Sequence, residues 1–321
     1  KVAPPLAAIM ALTELIEKST AGTMFELSGV LDKGTQQLTD RVPNSIGLNA
    51  GCELFNLFVT VATHDLGVLS DFKDKLVRQG NQYIAEAALY SEKIAGFTNG
   101  FVKDGSVILT HSHSRVVMKA LLHAHKRKRI SVYVTEAKPR GLGLKTHEML
   151  TAAGIPCTVV LDSAVAYVMD KVDFVLVGSE AVVESGGLIN ATGSNQIAII
   201  AKYANKPFYA LAESFKFRRL FPLSQYDLPT HGPGILPFPR QVPPPTSVTN
   251  GQSPSDDLKD AGPPVSPSAG SLARKSMSAE QIALNPEVDY TKPDLISLVI
   301  SDVGILTPEG VSHYLVGMFA G

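Results

Sequence analysis

Through the N-terminal third of the chain, apolar residues recur at helical spacing. After Pro4 and Pro5, the residues Leu6, Ala7, Ile9, Met10, Leu12, Leu15 and Ile16 form a stripe that predicts a helix opened by proline. Comparable patterns run over Thr23–Leu31, Ser45–Thr63 and Asp65–Ser91, the last ending near Gly96, with almost no strand signal among them. They predict an all-helical N-terminal domain over residues 1–103. From Asp104 the rhythm changes. Short continuous apolar runs mark strands at Val107–Thr110, Ser131–Thr135, Cys157–Leu161, Phe174–Val177, Phe208–Leu211 and Leu295–Ile300. Helical stretches lie between them, at Arg115–Arg127, Lys145–Ala153, Ala164–Lys171 and Gln196–Ala204, and Val311–Phe319 closes the chain. Gly154-Ile155-Pro156 and Asn205-Lys206-Pro207 are helix stops. Strand–helix alternation of this kind predicts an α/β domain over 104–321, a Rossmann-like, doubly wound, mostly parallel sheet. Residues 229–285 break the pattern with Pro233, Pro237, Pro239, Pro243-Pro244-Pro245, Pro254, Pro263-Pro264 and Pro267 among Gly and Ser. They read as a mobile surface insertion with little to bury.

Composition narrows the partners. A chain of 321 residues can bury a sizeable core in one large or two modest domains. A formal net charge of −1 removes any global electrostatic case for direct nucleic-acid or membrane binding. No run approaches the ~18–20 apolar residues of a membrane span, and no secretory signal stands at the start; the chain opens at Lys1 rather than Met, which suggests that a few leading residues are missing. Cys52 and Cys157 are too few for a disulfide framework and too isolated for a zinc site, so they read as buried thiols of a cytoplasmic protein.

The candidate chemistry follows the strands. Thr110, His111, Ser112, Ser114 and Arg115 lead from the first strand into a helix, where hydroxyls and free backbone N–H groups can hold an anion; the plainer reading is that the serines only cap that helix. Glu136, Lys138, Arg140 and Gly141-Leu142-Gly143 follow the second strand, Asp162 and Ser163 the third, Gly178, Ser179 and Glu180 the fourth, and Glu213 and Ser214 the fifth. In an open parallel sheet these turns share one rim, where bases suit phosphate and carboxylates suit sugar hydroxyls. A small phosphorylated polyol is the ligand class this predicts, although strand ends are polar in many α/β proteins. Other motifs fail. Gly141–Thr146 lacks the first glycine of a phosphate loop, no G-x-G-x-x-G is present, and His111/His113 and His123/His125 are spaced two apart, which on a helix separates their faces, so neither metal nor cofactor is expected. The basic run His123–Arg129 suits a solvated helix C-terminus.

Several long stretches resemble one known family: Ile108–Val117, Val132–Glu136, Val159–Ala164, Phe174–Gly178, Asn205–Tyr209, Ala212–Phe217 and Ser301–Pro308. Taken in order, they resemble the alpha subunits of eukaryotic translation initiation factor 2B. The wider family includes its beta and delta subunits and the isomerases of methylthioribose 1-phosphate and ribose 1,5-bisphosphate. The resemblance covers most of the chain except the Pro-rich insertion. It implies a regulatory and scaffolding subunit of a guanine-nucleotide exchange factor, with exchange itself carried by the epsilon subunit. The implied partners are a second copy of the chain through the α/β domain, the beta and delta subunits, and initiation factor two phosphorylated on its alpha subunit, which the helical domains receive.

The isomerase branch implies more about residues. Its catalytic cysteine falls in a motif resembling Thr110-His111-Ser112, which puts Ser112 in its place, and its aspartate falls in a Gly-Ala-Asp motif that reads Gly178-Ser179-Glu180 here. A serine hydroxyl titrates far too high to replace a thiol near neutrality, and Glu180 is longer than aspartate by one methylene. The family's Asn-Lys-Ile-Gly-Thr reads Asn190-Ala191-Thr192-Gly193-Ser194, without its lysine, and Lys138 stands where the isomerases carry arginine. No catalytic residue is therefore expected. An effector pocket is expected to gather Thr110, His111, Ser112, Ser114, Arg115, Lys138, Glu180, Asn190, Gly193 and Ser194. The active isomerase is the alternative. Leu295–Ile300 with Val303, Ile305 and Leu306 is either a dimer surface or an interior strand and loop, and phosphorylated factor two is met near Thr23–Glu26, at a Thr35–Arg41 turn, or at neither.

Overall fold

The computed structural model describes residues 2–42, 46–62, 69–238 and 277–319. They form two compact units, residues 1–231 with 286–321, and residues 232–285. In the first unit the chain opens with α1 (Pro4–Glu17), α2 (Met24–Asp40), α3 (Ile46–Ala62) and α4 (Leu69–Ala87). Proline begins α1, and Thr23 caps α2 by accepting from the Glu26 N–H at 3.2 Å. Ala8, Ile9, Leu12 and Ile16 of α1 are fully buried, packed with Leu27, Phe55 and Leu76 of its neighbours. Gly51 lets α3 cross α1 closely, since a β-carbon there would lie 2.2 Å from Pro5 O. Of the helix-forming pattern expected over Asp65–Ser91, residues 65–68 lie outside those described, and the rest divides in two, because the chain turns at Ala88–Leu89 and restarts as α5 (Tyr90–Asn99). Ile94 and Ala95 of α5 bury against the sheet layer that follows, not in the core of α1–α4. Thr35–Asp40, expected in a turn, is the end of α2. Its polar composition belongs to a solvated helical face.

The sheet is built by β1 (Ser106–His111), α6 (Arg115–His125), β2 (Ile130–Thr135), α7 (Leu142–Ala152), β3 (Cys157–Val160), α8 (Val165–Val168) and β4 (Phe174–Val177), continued after β5 (Ala181–Val183), β6 (Leu188–Ala191) and α9 (Ser194–Tyr203) by β7 (Phe208–Leu211). β8 (Phe217–Arg218), α10 (Ala279–Ala283), β9 (Val288–Thr291), β10 (Leu298–Ser301), β11 (Gly304–Leu306) and α11 (Pro308–Phe319) complete the described chain. The main sheet has the order β11-β10-β7-β4-β1-β2-β3, parallel except for β11. Its strands read as unbroken apolar runs because helices cover both faces, α5 and α6 on one and α9 and α11 on the other. No helix among the described residues is long and apolar enough to cross a membrane.

A second sheet, β8-β5-β6-β9, was not expected from the sequence. Ile189, Val183 and Tyr290 bury its outer face with Ile46 of α3. Its β9 edge is closed by a side chain. The Gln225 amide donates to Tyr290 O at 2.6 Å and accepts from Tyr290 N–H at 2.7 Å, taking the place of a neighbouring strand. The strand expected at Leu295–Ile300 starts later, since Pro293–Leu295 form a 3₁₀ turn and pairing with β7 begins at Leu298. Val299 and Ile300 are interior, while Val303 and Ile305 are exposed. The helix expected at Ala164–Lys171 is α only over Val165–Val168, with 3₁₀ turns on both sides. Of the Pro-rich insertion expected over 229–285, residues 239–276 lie outside those described. The second unit contributes α10, whose Ser278 capping box starts it, and Leu236 N–H donates to Leu284 O at 2.8 Å.

Candidate functional site

From β1 the chain winds through β2 to β3 in one direction and then returns to place β4 on the other side of β1. The turns leaving β1 and β4 therefore diverge over a crevice at the carboxyl ends of the strands, the place where open α/β sheets bind ligands. Ser112, in the β1 turn, is buried and held in the left-handed region at φ 59°, a conformation that costs a non-glycine residue of order 1 kcal/mol. Thr146 Oγ1 from α7 fixes that turn by donating to Ser112 O at 2.7 Å. Ser114 occupies the N-cap position of α6, yet its side chain makes no cap hydrogen bond. It lies instead against Gly178, where a β-carbon would approach Ser114 Oγ to 2.2 Å. The turns after β1 and β4, which carry Ser112 and Glu180, thus touch.

His111 is almost wholly buried, and both of its ring nitrogens are engaged. Nε2 lies 3.0 Å from Thr192 O and Nδ1 2.5 Å from Thr135 Oγ1. A carbonyl only accepts, so Nε2 carries the proton and Nδ1 accepts from the threonine hydroxyl. Burial holds the imidazole below its usual range, in the neutral form that this arrangement needs. His111 is a strut between β1, β2 and the Thr192 turn, with no nitrogen left for a ligand. Burial, then the charges of Lys145 and Arg115, also hold His113 down, and its Nδ1 lies 3.1 Å from Thr146 Oγ1.

The Asn190–Ser194 segment descends from β6 to the start of α9. Asn190 Nδ2 donates to Ser194 Oγ at 2.9 Å, and Ser194 Oγ donates to Ala191 O at 2.8 Å. Gly193, at φ 111°, sits against the His111 ring, where a β-carbon would lie 2.9 Å from Cε1. Of the residues expected to gather, Ser112 and Ser114 lie on one side, with Gly178 of the β4 turn against Ser114, and His111, Gly193, Ser194 and Asn190 lie on the other; the Glu180 N–H, two residues past Gly178, donates to Ile189 O at 2.9 Å. Lys138 stands apart, its side chain exposed and 3.7 Å from Glu136. Its backbone turn is tied to the next one, because Asp162 accepts from Ala137 N–H and Lys138 N–H at 2.9 and 2.8 Å. Asp162, expected at the rim for sugar hydroxyls, spends its carboxylate on that tie.

Three residues that the sequence did not single out complete the rim. Lys216 is buried, donates to Ser179 O at 2.9 Å and lies 2.8 Å from Glu213 Oε2. Burial pushes the Glu213 carboxyl up, the Lys216 ammonium more than offsets it, and the net shift is downward. Asp302 accepts from Ser214 N–H at 2.7 Å and Ser214 Oγ at 2.8 Å, joining β7 to β10. Asp289 of β9 accepts from Gly193 N–H at 2.7 Å and Asn195 N–H at 3.1 Å, while burial pushes its carboxyl up to about 7. No group of three or more His, Cys, Asp or Glu suited to a metal occurs among the described residues.

Residues 2–308 match the model of the initiation factor 2 subunit family. Over 315 residues the chain is 36% identical to translation initiation factor eIF2B subunit alpha of Dictyostelium discoideum, covering 97% of this chain and 90% of that one. It is 29% identical to the ribose 1,5-bisphosphate isomerase of Archaeoglobus fulgidus over 259 residues, 80% of this chain and 71% of the isomerase. Among solved structures, the tetrameric eIF2B beta–delta complex of C. thermophilum has a chain with the same fold at a TM-score of 0.73 and 16% identity, over 98% of this chain and 88% of that one.

Proposed function

Since the chain belongs to the initiation factor 2 subunit family, we propose that it is the alpha-type regulatory subunit of the translation initiation factor 2B exchange complex and catalyses no reaction of its own. The near-complete match to an alpha subunit carries this reading. In it, the chain works in the cytoplasm, pairs with a second copy through the α/β layer, joins the beta and delta subunits, and helps to sense initiation factor two phosphorylated on its alpha subunit. The crevice is an effector pocket for a phosphorylated sugar or nucleotide, bordered by the β1 turn with Ser112 and Ser114, the β4 turn with Glu180, and the Asn190–Ser194 segment.

The likeness to ribose 1,5-bisphosphate isomerases raises the alternative of a living isomerase. Two residues speak against it. By the motif resemblance, Ser112 offers a hydroxyl in the place of the isomerase thiol, and Glu180 a longer carboxylate in the place of its aspartate. The test adds the purified chain to beta, gamma, delta and epsilon subunits and follows nucleotide exchange on initiation factor two. Adding the chain is expected to make exchange sensitive to the phosphorylated factor. In parallel, the chain alone with ribose 1,5-bisphosphate is expected to give no product by proton NMR over hours. Turnover of the sugar phosphate would overturn the non-catalytic reading, and exchange indifferent to the chain would overturn the regulatory one.

A further inference from the structure

The crevice is braced by a single peptide group with an aspartate at one end and a histidine at the other. The peptide joins Thr192 to Gly193. Its C=O accepts from His111 Nε2–H at 3.0 Å, and its N–H donates to Asp289 Oδ2 at 2.7 Å. A trans peptide points these two bonds in opposite directions from one rigid plane, so fixing either end aims the other. Beyond His111 the line continues to Thr135 Oγ1 at 2.5 Å. On the Asp289 side, Asn195 N–H gives the same carboxylate oxygen a second donor at 3.1 Å, and Oδ1 is buried without a hydrogen-bond partner among the described residues.

Thr192 itself is held on its other flank, its N–H on Glu287 O at 3.1 Å and its hydroxyl on Pro286 O at 2.7 Å. The part of the turn left to rotate is therefore the Thr192–Gly193 peptide, and glycine on its far side tolerates either orientation. We infer that Asp289 is a positioning residue of the crevice: through this peptide it sets which nitrogen of His111 carries the proton, and so holds the turn bearing Ser112 and Ser114. If the peptide turned over, its N–H would face Nε2. That nitrogen would then have to accept, and Nδ1 would donate to Thr135. The carboxylate on the N–H also polarises the peptide and strengthens its carbonyl as an acceptor. This inference rests on the crevice being the pocket that the regulatory subunit keeps, but its test reads His111 alone and needs neither ligand nor partner.

The experiment is ring ¹⁵N NMR of the full chain labelled in histidine, with His111 assigned by the signals lost in His111→Gln. In the unaltered chain His111 is expected to show a protonated Nε2 and an unprotonated Nδ1. Asp289→Ala, checked as folded by circular dichroism, is expected to move the proton to Nδ1 or to average the two signals. Asp289→Asn, which keeps an oxygen for the Gly193 N–H, is expected to restore the original pattern. An unchanged His111 spectrum in folded Asp289→Ala would overturn the inference. Should that variant not fold, the unaltered chain still decides: the Gly193 amide proton is expected to exchange far more slowly than an unbonded one, and fast exchange would equally overturn it.

Discussion

At Gly178 a β-carbon would lie 2.2 Å from Ser114 Oγ and 2.5 Å from its Cβ, and both partners sit on short turns anchored by strands. Gly178→Ala is expected to lower unfolding free energy by about 1–3 kcal/mol in urea titrations, as overpacking does in a close-fitted site. Gly96 gives the comparison. It lies inside α5 with nothing within 4 Å of its would-be β-carbon, so Gly96→Ala is expected to stabilise the chain by up to ~1 kcal/mol in the same titration. At this scale the sequence discloses residue type and little about partners. Ser112 and Glu180 could be marked from the motifs around them, and hydroxyls after a strand are a visible signal. Asp289 gave none, because its partner Gly193 lies 96 positions away and β9 is a four-residue strand in a Pro-flanked stretch. His111 was visible as a polar residue in the turn, but its commitment to Thr135 and Thr192 depends on pairings across three elements.

Between elements, the contact most open to test joins α3 to β8. Arg218 is buried and ion-paired with Glu53, whose own side chain is 43% exposed. Arg218 Nη1 is buried without a hydrogen-bond partner among the described residues, so this cation depends on Glu53. Glu53→Gln is expected to cost about 1–3 kcal/mol in urea unfolding, less than a wholly buried pair because water reaches the Glu53 side. A loss below ~0.5 kcal/mol would show the pair to be no more than a surface contact. The elements themselves were unevenly legible. β1, β2, β4 and β7 announced themselves because strands covered on both faces are unbroken apolar runs. β5, β6, β8 and β9 did not, being two to four residues long and separated by glycine, serine and charged residues that read equally well as turn. The second sheet exists because Val183, Ile189 and Tyr290 bury together with Ile46, a long-range fact that no local pattern carries.

For the molecule as a whole, stability against pH should carry two opposing contributions from the same relay. Burial raises the Asp289 carboxyl to about 7, above the roughly 3.9 of an unfolded chain. Between these values the folded state holds a proton that the unfolded state lacks. Asp289 therefore adds stability that is fully present below about pH 4 and is lost as pH rises through 7, with a slope of up to ~1.4 kcal/mol per unit. His111 acts the other way. Its folded value is depressed by burial, so falling pH protonates the unfolded state first and destabilises the fold below about 6.5. Asp289→Asn removes the first contribution alone. Its stability, measured by denaturant titration from pH 5 to 8, is expected to fall more steeply toward acid than that of the unaltered chain; parallel profiles would contradict the assignment. The doubly wound α/β plan was legible in the alternation of the sequence, whereas α5 joining the sheet layer was not, because an apolar helical stripe does not say which core it will enter.

The Gln225 amide on Tyr290 has a consequence for how this chain can assemble. An unprotected strand border is a template on which any extended peptide can polymerise, and cells treat such borders as hazards. Here one side chain supplies both the donor and the acceptor that an incoming backbone would have sought at the middle of β9. An extended peptide is thereby denied pairing at that point of the border, and any neighbour that meets the chain there has to be recognised through side chains.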